Sequence, residues 1–403
     1  MGPTVGNIPE ERIAHMRKKT GFSRAMVIIV SLIVFAGGSV LAQDKGQLNT
    51  ATKKASLFDE GTVVVIALHG IPAEGAGRLV LELMMLEGQL EVGYGADDPA
   101  KRKRLEELDH KLKNWPLAEN NPYNVGAIKL GKLLEKEIGT KVFVGFNEFC
   151  APSLEKVLED AAKAHPKKIM VVTTMHSAGN QHAENAESDI LKSVLTAQKH
   201  YPKVEFVYAW PFDFDTSARF LHDQLMEFTT SSELARKDTA LVLAMHGTPP
   251  VDLPNLIMME FMMAKAGMGE RAKYLKLEKK IRNWPRTDKD AYWVGAQKMG
   301  EVMGKMTGSK VIVGYNEFCA PSLAEAFDEA VQGKAQKVLV LSPMWEPDNP
   351  HSDSDVPIAI RRAKKKFPEV AFVYAWPFSY DKTVPFLRDQ LLAFKNKPGF
   401  TGN

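Results

Sequence analysis

Short β-branched runs alternate with stretches of helical apolar spacing, and the alternation occurs twice in the same order. The first round starts at Thr62–Leu68 (TVVVIAL), a run apolar at nearly every position, as expected of a strand buried on both faces. Three more such runs follow at Lys141–Phe146, Lys168–Thr174 and Val204–Trp210. Between them, apolar residues recur at helical intervals over Ala76–Leu90, Lys101–Lys113, Val125–Ile138, Pro152–Ala164, Ile190–His200 and Ser217–Phe228. Pro152 is expected in the first turn of its helix. The second round has strands at Ala240–Met245, Val311–Tyr315, Lys337–Ser342 and Val370–Trp376. Strands that alternate with helices predict a parallel sheet covered on both faces. The fold class is therefore α/β, with two tandem doubly wound domains of about four core strands each.

The residues repeat as well as the pattern. Val144–Leu154 reads VGFNEFCAPSL and Val313–Leu323 reads VGYNEFCAPSL. ALHGIP at 67–72 matches AMHGTP at 244–249, Asn-Trp-Pro recurs at 114–116 and 283–285, and FVYAWPF at 206–212 and 372–378. The expected organisation is a leader over 1–43, a polar tether over 44–60, a first domain over 61–229, a link over 230–237, a second domain over 238–396 and a tail over 397–403. The two halves form a pseudo-dimer within one chain.

Composition adds little: 45% hydrophobic, 25% charged and a formal charge of +3 describe an ordinary globular protein, with no dense basic stripe for nucleic acid. The N-terminus says more. Lys18, Lys19 and Arg24 precede a mainly apolar, uncharged stretch, Ala25–Ala42, that ends in Val-Leu-Ala. That layout fits a secretory signal peptide or, if uncleaved, a membrane anchor, which would be the only membrane contact. Both readings put the body of the protein outside the cytoplasm, in a periplasmic or other extracytoplasmic space. The two cysteines, Cys150 and Cys319, hold equivalent places. They are read as buried thiols at a helix start or as a disulfide across the pseudo-twofold axis.

The chemistry-bearing residues fall at the carboxyl ends of strands, where doubly wound sheets bind ligands. His69 ends the first strand, Glu148 follows the second, and His176 and His182 follow the third. The second half contains only two histidines, His246 and His351. They match His69 and His182, and Glu317 matches Glu148. Imidazoles bind divalent metals and accept protons near neutral pH, and a carboxylate adds charge balance. Asp189 and Asp355 precede apolar helical runs and read as N-terminal caps. Arg282 and Arg286 offer partners for substrate carboxylates; Lys101–Arg104 reads as a solvated helix face. Met84, Met85, Met258, Met259, Met262, Met263 and Met268 fall in the long insertions Ile71–Lys113 and Thr248–Arg282. They read as packing between lobes, or as an adaptable lid or thioether site. Trp115 and Trp284 read as turn anchors.

The ordered set of a strand ending in His-Gly, a strand running into Glu-x-x-x-Pro-Ser-Leu, and a loop with a histidine resembles the class II tetrapyrrole chelatases, the sirohydrochlorin cobalto- and ferrochelatases. The likeness lies in His69-Gly70 and His246-Gly247, in Asn147–Leu154 and Asn316–Leu323, and in His182 and His351–Pro357. Leu68-His69-Gly70-Ile71 and Met245-His246-Gly247-Thr248 stand where that family commonly has Gly-His-Gly-Ser. The resemblance implies insertion of cobalt, nickel or iron into a sirohydrochlorin-type tetrapyrrole. His69, His182, His246 and His351 would serve as metal ligands and proton acceptors, with Glu148 and Glu317 beside them, and with no organic cofactor. The alternative from the same residues is a non-catalytic extracytoplasmic binder of metal or tetrapyrrole.

Overall fold

The computed structural model describes residues 55–91, 98–180, 182–184, 188–265, 267, 270–346 and 348–400, without the side chains of 84 and 91. The leader, most of the tether and Met268 lie outside these residues. No helix among the described residues is long and apolar enough to cross a membrane.

The first lobe has strands β1 (Thr62–Leu68), β2 (Val142–Phe146), β3 (Lys168–Thr173) and β4 (Glu205–Tyr208). They pair in parallel in the order β2-β1-β3-β4. Its helices are α1 (Gly77–Glu91), α2 (Pro99–Lys113), α3 (Pro122–Ile138), α4 (Leu154–Lys163), α5 (Asp189–His200) and α6 (Phe214–Leu225). A short α7 (Ser231–Leu234) leads into the second lobe. There β5 (Thr239–Met245), β6 (Lys310–Tyr315), β7 (Lys337–Leu341) and β8 (Ala371–Tyr374) repeat the order as β6-β5-β7-β8. The remaining helices are α8 (Asn255–Lys265), α9 (Arg271–Arg282), α10 (Ala291–Thr307), α11 (Leu323–Gln332), α12 (Val356–Lys366) and α13 (Tyr380–Phe394). The expected tandem α/β architecture is thus present, and strand ends shift by a residue or two.

Strand periodicity explains how the layers assemble. Along β1, Val65 and Ala67 face α4 and α5 and form the first lobe's own core. Val64, Ile66 and Leu68 point the other way, into a core shared by both lobes. In β5, Val242 and Ala244 face α11 and α12, while Leu241, Leu243 and Met245 enter the shared core. Each sheet therefore lends one face to the other lobe.

The pseudo-twofold axis runs through that shared core. Phe220 of α6 stacks on Phe386 of α13, its equivalent, with ring centroids 4.1 Å apart. Next to them, Gln224 Nε2 donates to the carbonyls of Ala375 and Pro377, at 3.2 and 2.9 Å. Gln390 Nε2 donates to Ala209 and Pro211, at 2.8 and 3.0 Å. Each lobe thus satisfies backbone carbonyls just past the other's last strand. His176 is buried in the same aromatic cluster, bonded to Ser217 Oγ and the Pro343 carbonyl. Burial pushes its pKa down to about 4, so it is a neutral packing residue.

The insertions form the helix pairs α1–α2 and α8–α9, and α1 packs against α8 across the lobes. Met258 and Met262 are buried in the shared core, as the packing reading of these methionines expects. One expectation changes, and the buried-thiol reading of the cysteines holds. The fourth helix begins at Leu154, after Pro152, because the Pro152 carbonyl accepts from Phe146 N and the Ser153 side chain caps the helix. Cys150 and Cys319 are both buried free thiols, with no disulfide between them.

Removing one ring of the axial stack leaves a cavity in a core common to both lobes. Phe220→Ala and Phe386→Ala are each expected to destabilise the protein by about 3–5 kcal/mol. In denaturant unfolding their effects should fall short of additivity, because the two rings are one another's contact.

Candidate metal centre

The backbone brings the site residues together before any side chain acts. Past β1 and β2 the ladder continues for two more bonds, Asn147 N to Leu68 O at 2.8 Å and Glu148 N to His69 O at 3.0 Å. Gly70 then crosses the Glu148 carbonyl so closely that a Cβ on it would lie 2.1 Å from that oxygen. Its φ of 95° also belongs to the left-handed region that favours glycine. Phe149 turns the chain back with φ 62°, a conformation uncommon for an aromatic residue. The second lobe repeats each step. Glu317 N bonds His246 O at 2.8 Å, a Cβ on Gly247 would sit 1.9 Å from Glu317 O, and Phe318 has φ 55°. His-Gly and Asn-Glu-Phe-Cys are therefore two halves of one crossing.

In the first lobe this crossing gathers His69, Glu148 and His182. Their ligand atoms lie within 4.8 Å of one another, the only such group among the described residues. The imidazoles meet edge to face, with centroids 5.0 Å apart. His69 Nδ1 is 2.8 Å from the Gly70 carbonyl, which only accepts, so Nδ1 carries the proton. Nε2 is left with its lone pair facing Glu148 Oε2 at 3.9 Å. His182 Nδ1 lies 3.5 Å from Glu148 Oε1 and 3.4 Å from Asp189 Oδ2.

Glu148 is buried, and its Oε2 has no hydrogen-bond partner. Burial raises its pKa to about 7, partly offset by His182. A carboxyl in that state binds a cation on losing its proton, or accepts a proton near neutrality. Glu87, Asp109 and Lys113 line the small cavity beside it, of about 20 Å³.

The second lobe pairs its histidines more tightly. His246 and His351 have centroids 4.6 Å apart. His246 Nδ1 donates to the Gly247 carbonyl at 2.6 Å, and His351 Nδ1 pairs with Asp355 Oδ2 at 2.8 Å. Burial, then the neighbouring His351, hold His246 well below the usual imidazole range. Glu317, however, turns to Lys265, whose Nζ lies 3.0 and 3.3 Å from its two oxygens. This site opens on a cleft of about 730 Å³.

Several residues have roles that differ from those expected. Asp189 and Asp355 are not caps by their side chains: Ser188 caps α5, and Asp355 makes no cap bond. Both carboxylates instead face the imidazoles, because a nearby N–H is the better partner. Arg282 donates to the carbonyls of Asn316 and Cys319, at 2.7 and 2.9 Å. Arg286 donates to Thr248 and Phe318, both at 2.8 Å, and pairs with Asp290. They fasten the crossing loop and leave few donors for a substrate. Lys101–Arg104 is the expected surface face, and Arg104 pairs with Glu82. Trp115 and Trp284 pack on the core as anchors.

Sequence reading missed Glu346. This buried carboxylate reaches from the second lobe behind His69. Oε2 accepts from Tyr123 OH at 2.9 Å, and Oε1 from Thr174 Oγ1 and from His69 N at 3.3 Å. Tyr123 OH in turn accepts from Gly70 N at 3.0 Å. In the second lobe Tyr292 OH accepts from His246 N at 3.2 Å, and Ser177 stands in the place of Glu346. The signal was an acidic residue just past a strand's carboxyl end.

Two parallel α/β lobes, each with an imidazole pair and a carboxylate at its strand ends, define a tandem chelatase-like protein. Residues 118–226 and 287–392, together just over half of the chain, match the CbiX family, and the chain belongs to it, as a tandem member of the class II chelatases. The matched stretches contain Glu148, His182, Glu317 and His351, while His69 and His246 lie outside them. Among solved structures, the chain is similar to SirB from Bacillus subtilis with Fe3+, at 14% identity and TM-score 0.47 over 84% of this chain and 99% of that one. It is also similar to the sirohydrochlorin chelatase SirB from Bacillus subtilis subspecies spizizenii in complex with cobalt, at 13% identity and TM-score 0.43 over the same shares. No curated protein sequence matches the chain.

The pH dependence of stability tests the state of Glu148. Its pKa is about 7 folded against 4.5 unfolded, so its contribution to stability is full below 4.5 and lost as pH rises through 7. In chelator-treated protein, Glu148→Gln is expected to match wild type at acid pH. Above neutrality it should gain up to about 3 kcal/mol, each pKa unit being worth about 1.4 kcal/mol. Chemical denaturation across that range reads the difference.

Proposed function

We propose that the protein inserts a divalent metal, cobalt, nickel or iron, into a sirohydrochlorin-type tetrapyrrole, and that the first lobe does the work. The observation that carries the reading is the convergence of His69, Glu148 and His182 within 4.8 Å. Membership of the CbiX family supports it.

The chemistry follows from the groups present. The metal is substrate, and it needs ligands that hold it and then release it. Two imidazoles and one carboxylate suit cobalt, nickel and iron, and they form an incomplete shell that leaves positions for the macrocycle nitrogens. Insertion also requires two pyrrole N–H protons to leave. Glu148, with its pKa near 7, is suited to accept one, beside a His182 whose Nδ1 faces Asp189. Asp189 and Glu346 act behind the ligands: Asp189 orients His182, and Glu346 fixes the backbone of His69. His246 and His351 form a second imidazole pair whose own carboxylate is engaged by Lys265, so the working metal site is assigned to the first lobe. The N-terminal apolar stretch is read as an export signal, which puts the reaction outside the cytoplasm.

The test is to mix purified protein with sirohydrochlorin and each metal in turn and follow the absorbance of the macrocycle. Turnover above the metal-only background is expected. His69→Ala and His182→Ala should lower it by about 100-fold or more, the scale of a lost acid–base or ligand group. His246→Ala and His351→Ala should lower it by less than about tenfold. Folded protein that gives no acceleration would refute the reading, and stoichiometric binding without turnover would make the chain a carrier of metal or tetrapyrrole.

A further inference from the structure

The two lobes share one backbone frame but differ in the charge set against the central carboxylate. In α1, Leu83 and Glu87 line the cavity beside Glu148, one helical turn apart. In α8, Phe261 and Lys265 line the cleft beside Glu317 at the same spacing. Asp109 and Lys113 in the first lobe correspond to Glu278 and Arg282 in the second, so the two linings superpose in sequence. A glutamate in one lobe thus stands where the other has a lysine, beside the central carboxylate.

We propose that Lys265 is a built-in cation that closes the second lobe's His246–His351–Glu317 set to metal ions. This rests on the reading of the first lobe as a metal site. The Lys265 ammonium sits 3.0 and 3.3 Å from the two oxygens of Glu317. Its side chain is 10% exposed, so solvent screens the pair weakly. The imidazoles are already in place: His246 and His351 are closer together than His69 and His182, with centroids at 4.6 against 5.0 Å. Gly247 and Phe318 reproduce the crossing that presents Glu317. Only the carboxylate is missing from the group. A divalent ion entering there would meet a fixed positive charge in contact with its third ligand, and that ligand would have to give up an ion pair. Divergence at one helix position therefore makes the pseudo-dimer a one-metal protein.

Lys265→Met removes the charge and keeps most of the apolar stem. It leaves Glu317 without its ammonium partner, a half-buried carboxylate on the same backbone crossing as Glu148. The full chain, stripped with chelator, is titrated with cobalt(II) by calorimetry and by visible absorption of the bound ion. One more equivalent of cobalt is expected for Lys265→Met than for wild type. The extra equivalent should vanish in Lys265→Met/His246→Ala and be absent in Lys265→Arg, which keeps the charge. In the wild-type background His246→Ala should leave the count unchanged. A wild type that loses an equivalent with His246→Ala would overturn the proposal. So would a Lys265→Met protein that retains the far-ultraviolet circular dichroism and unfolding midpoint of wild type and binds no more cobalt than it does. If Lys265→Met does not fold, the His246→Ala comparison decides alone. A wild type that binds no cobalt contradicts the first-lobe reading, and a gain of one equivalent in Lys265→Met would still support the closure by Lys265.

Discussion

One backbone crossing governs the site. The chain past β1 and the chain past β2 pass so closely at Gly70 and Glu148 that only a residue without a Cβ fits, and Gly247 and Glu317 repeat the arrangement. Once that crossing exists, the histidine before the glycine and the glutamate before the left-handed phenylalanine are forced to be neighbours. The cost of a non-glycine residue with positive φ at Phe149 and Phe318, of order 1–3 kcal/mol each, is borne in both lobes. Retaining that strain twice makes sense if the position of the following loop matters more than its local energy. Arg286 then fastens the same crossing from outside in the second lobe, through the carbonyls of Thr248 and Phe318.

The duplication sets the rest. Each lobe covers one face of its sheet with its own helices and gives the other face to a common core, with Phe220 and Phe386 at the axis. Neither lobe can change its inner face without touching the other, and the divergence that bears on the sites lies at the rims. There the lobes differ in charge, Glu87 against Lys265 and Glu346 against Ser177, and in opening, a cavity of about 20 Å³ against a cleft of about 730 Å³. In the first lobe the result is a buried carboxyl whose pKa burial raises to about 7, with no lysine hydrogen-bonded to it among the described residues. In the second it is a carboxylate already neutralised. Equal folds with opposite local charge separate a lobe suited to a cation from one that carries its own.

The sequence made the periodic elements legible, because a strand buried on both faces and an amphipathic helix leave patterns that neighbours do not alter. His69, His182, His246 and His351 were legible because two of them are the second half's only histidines. What sequence hid depends on which groups meet in space. Asp189 and Asp355 stand where a cap belongs, but their carboxylates pair with His182 and His351 and make no cap bond. Arg282 and Arg286 carry the charge a substrate carboxylate wants, yet loop carbonyls occupy their donors. Glu346 has no acidic counterpart in the other half, so the comparison of repeats passed over it. Lys265 lies in an insertion where the repeats differ most, and its meaning depends on one contact with Glu317.

The arrangement is tested most directly by diffraction from crystals of the full chain soaked in cobalt(II), with data collected at the cobalt absorption edge. A single anomalous peak bounded by His69, Glu148 and His182, with none between His246 and His351, is expected. Peaks of equal height in both lobes, or a peak only in the second, would contradict it.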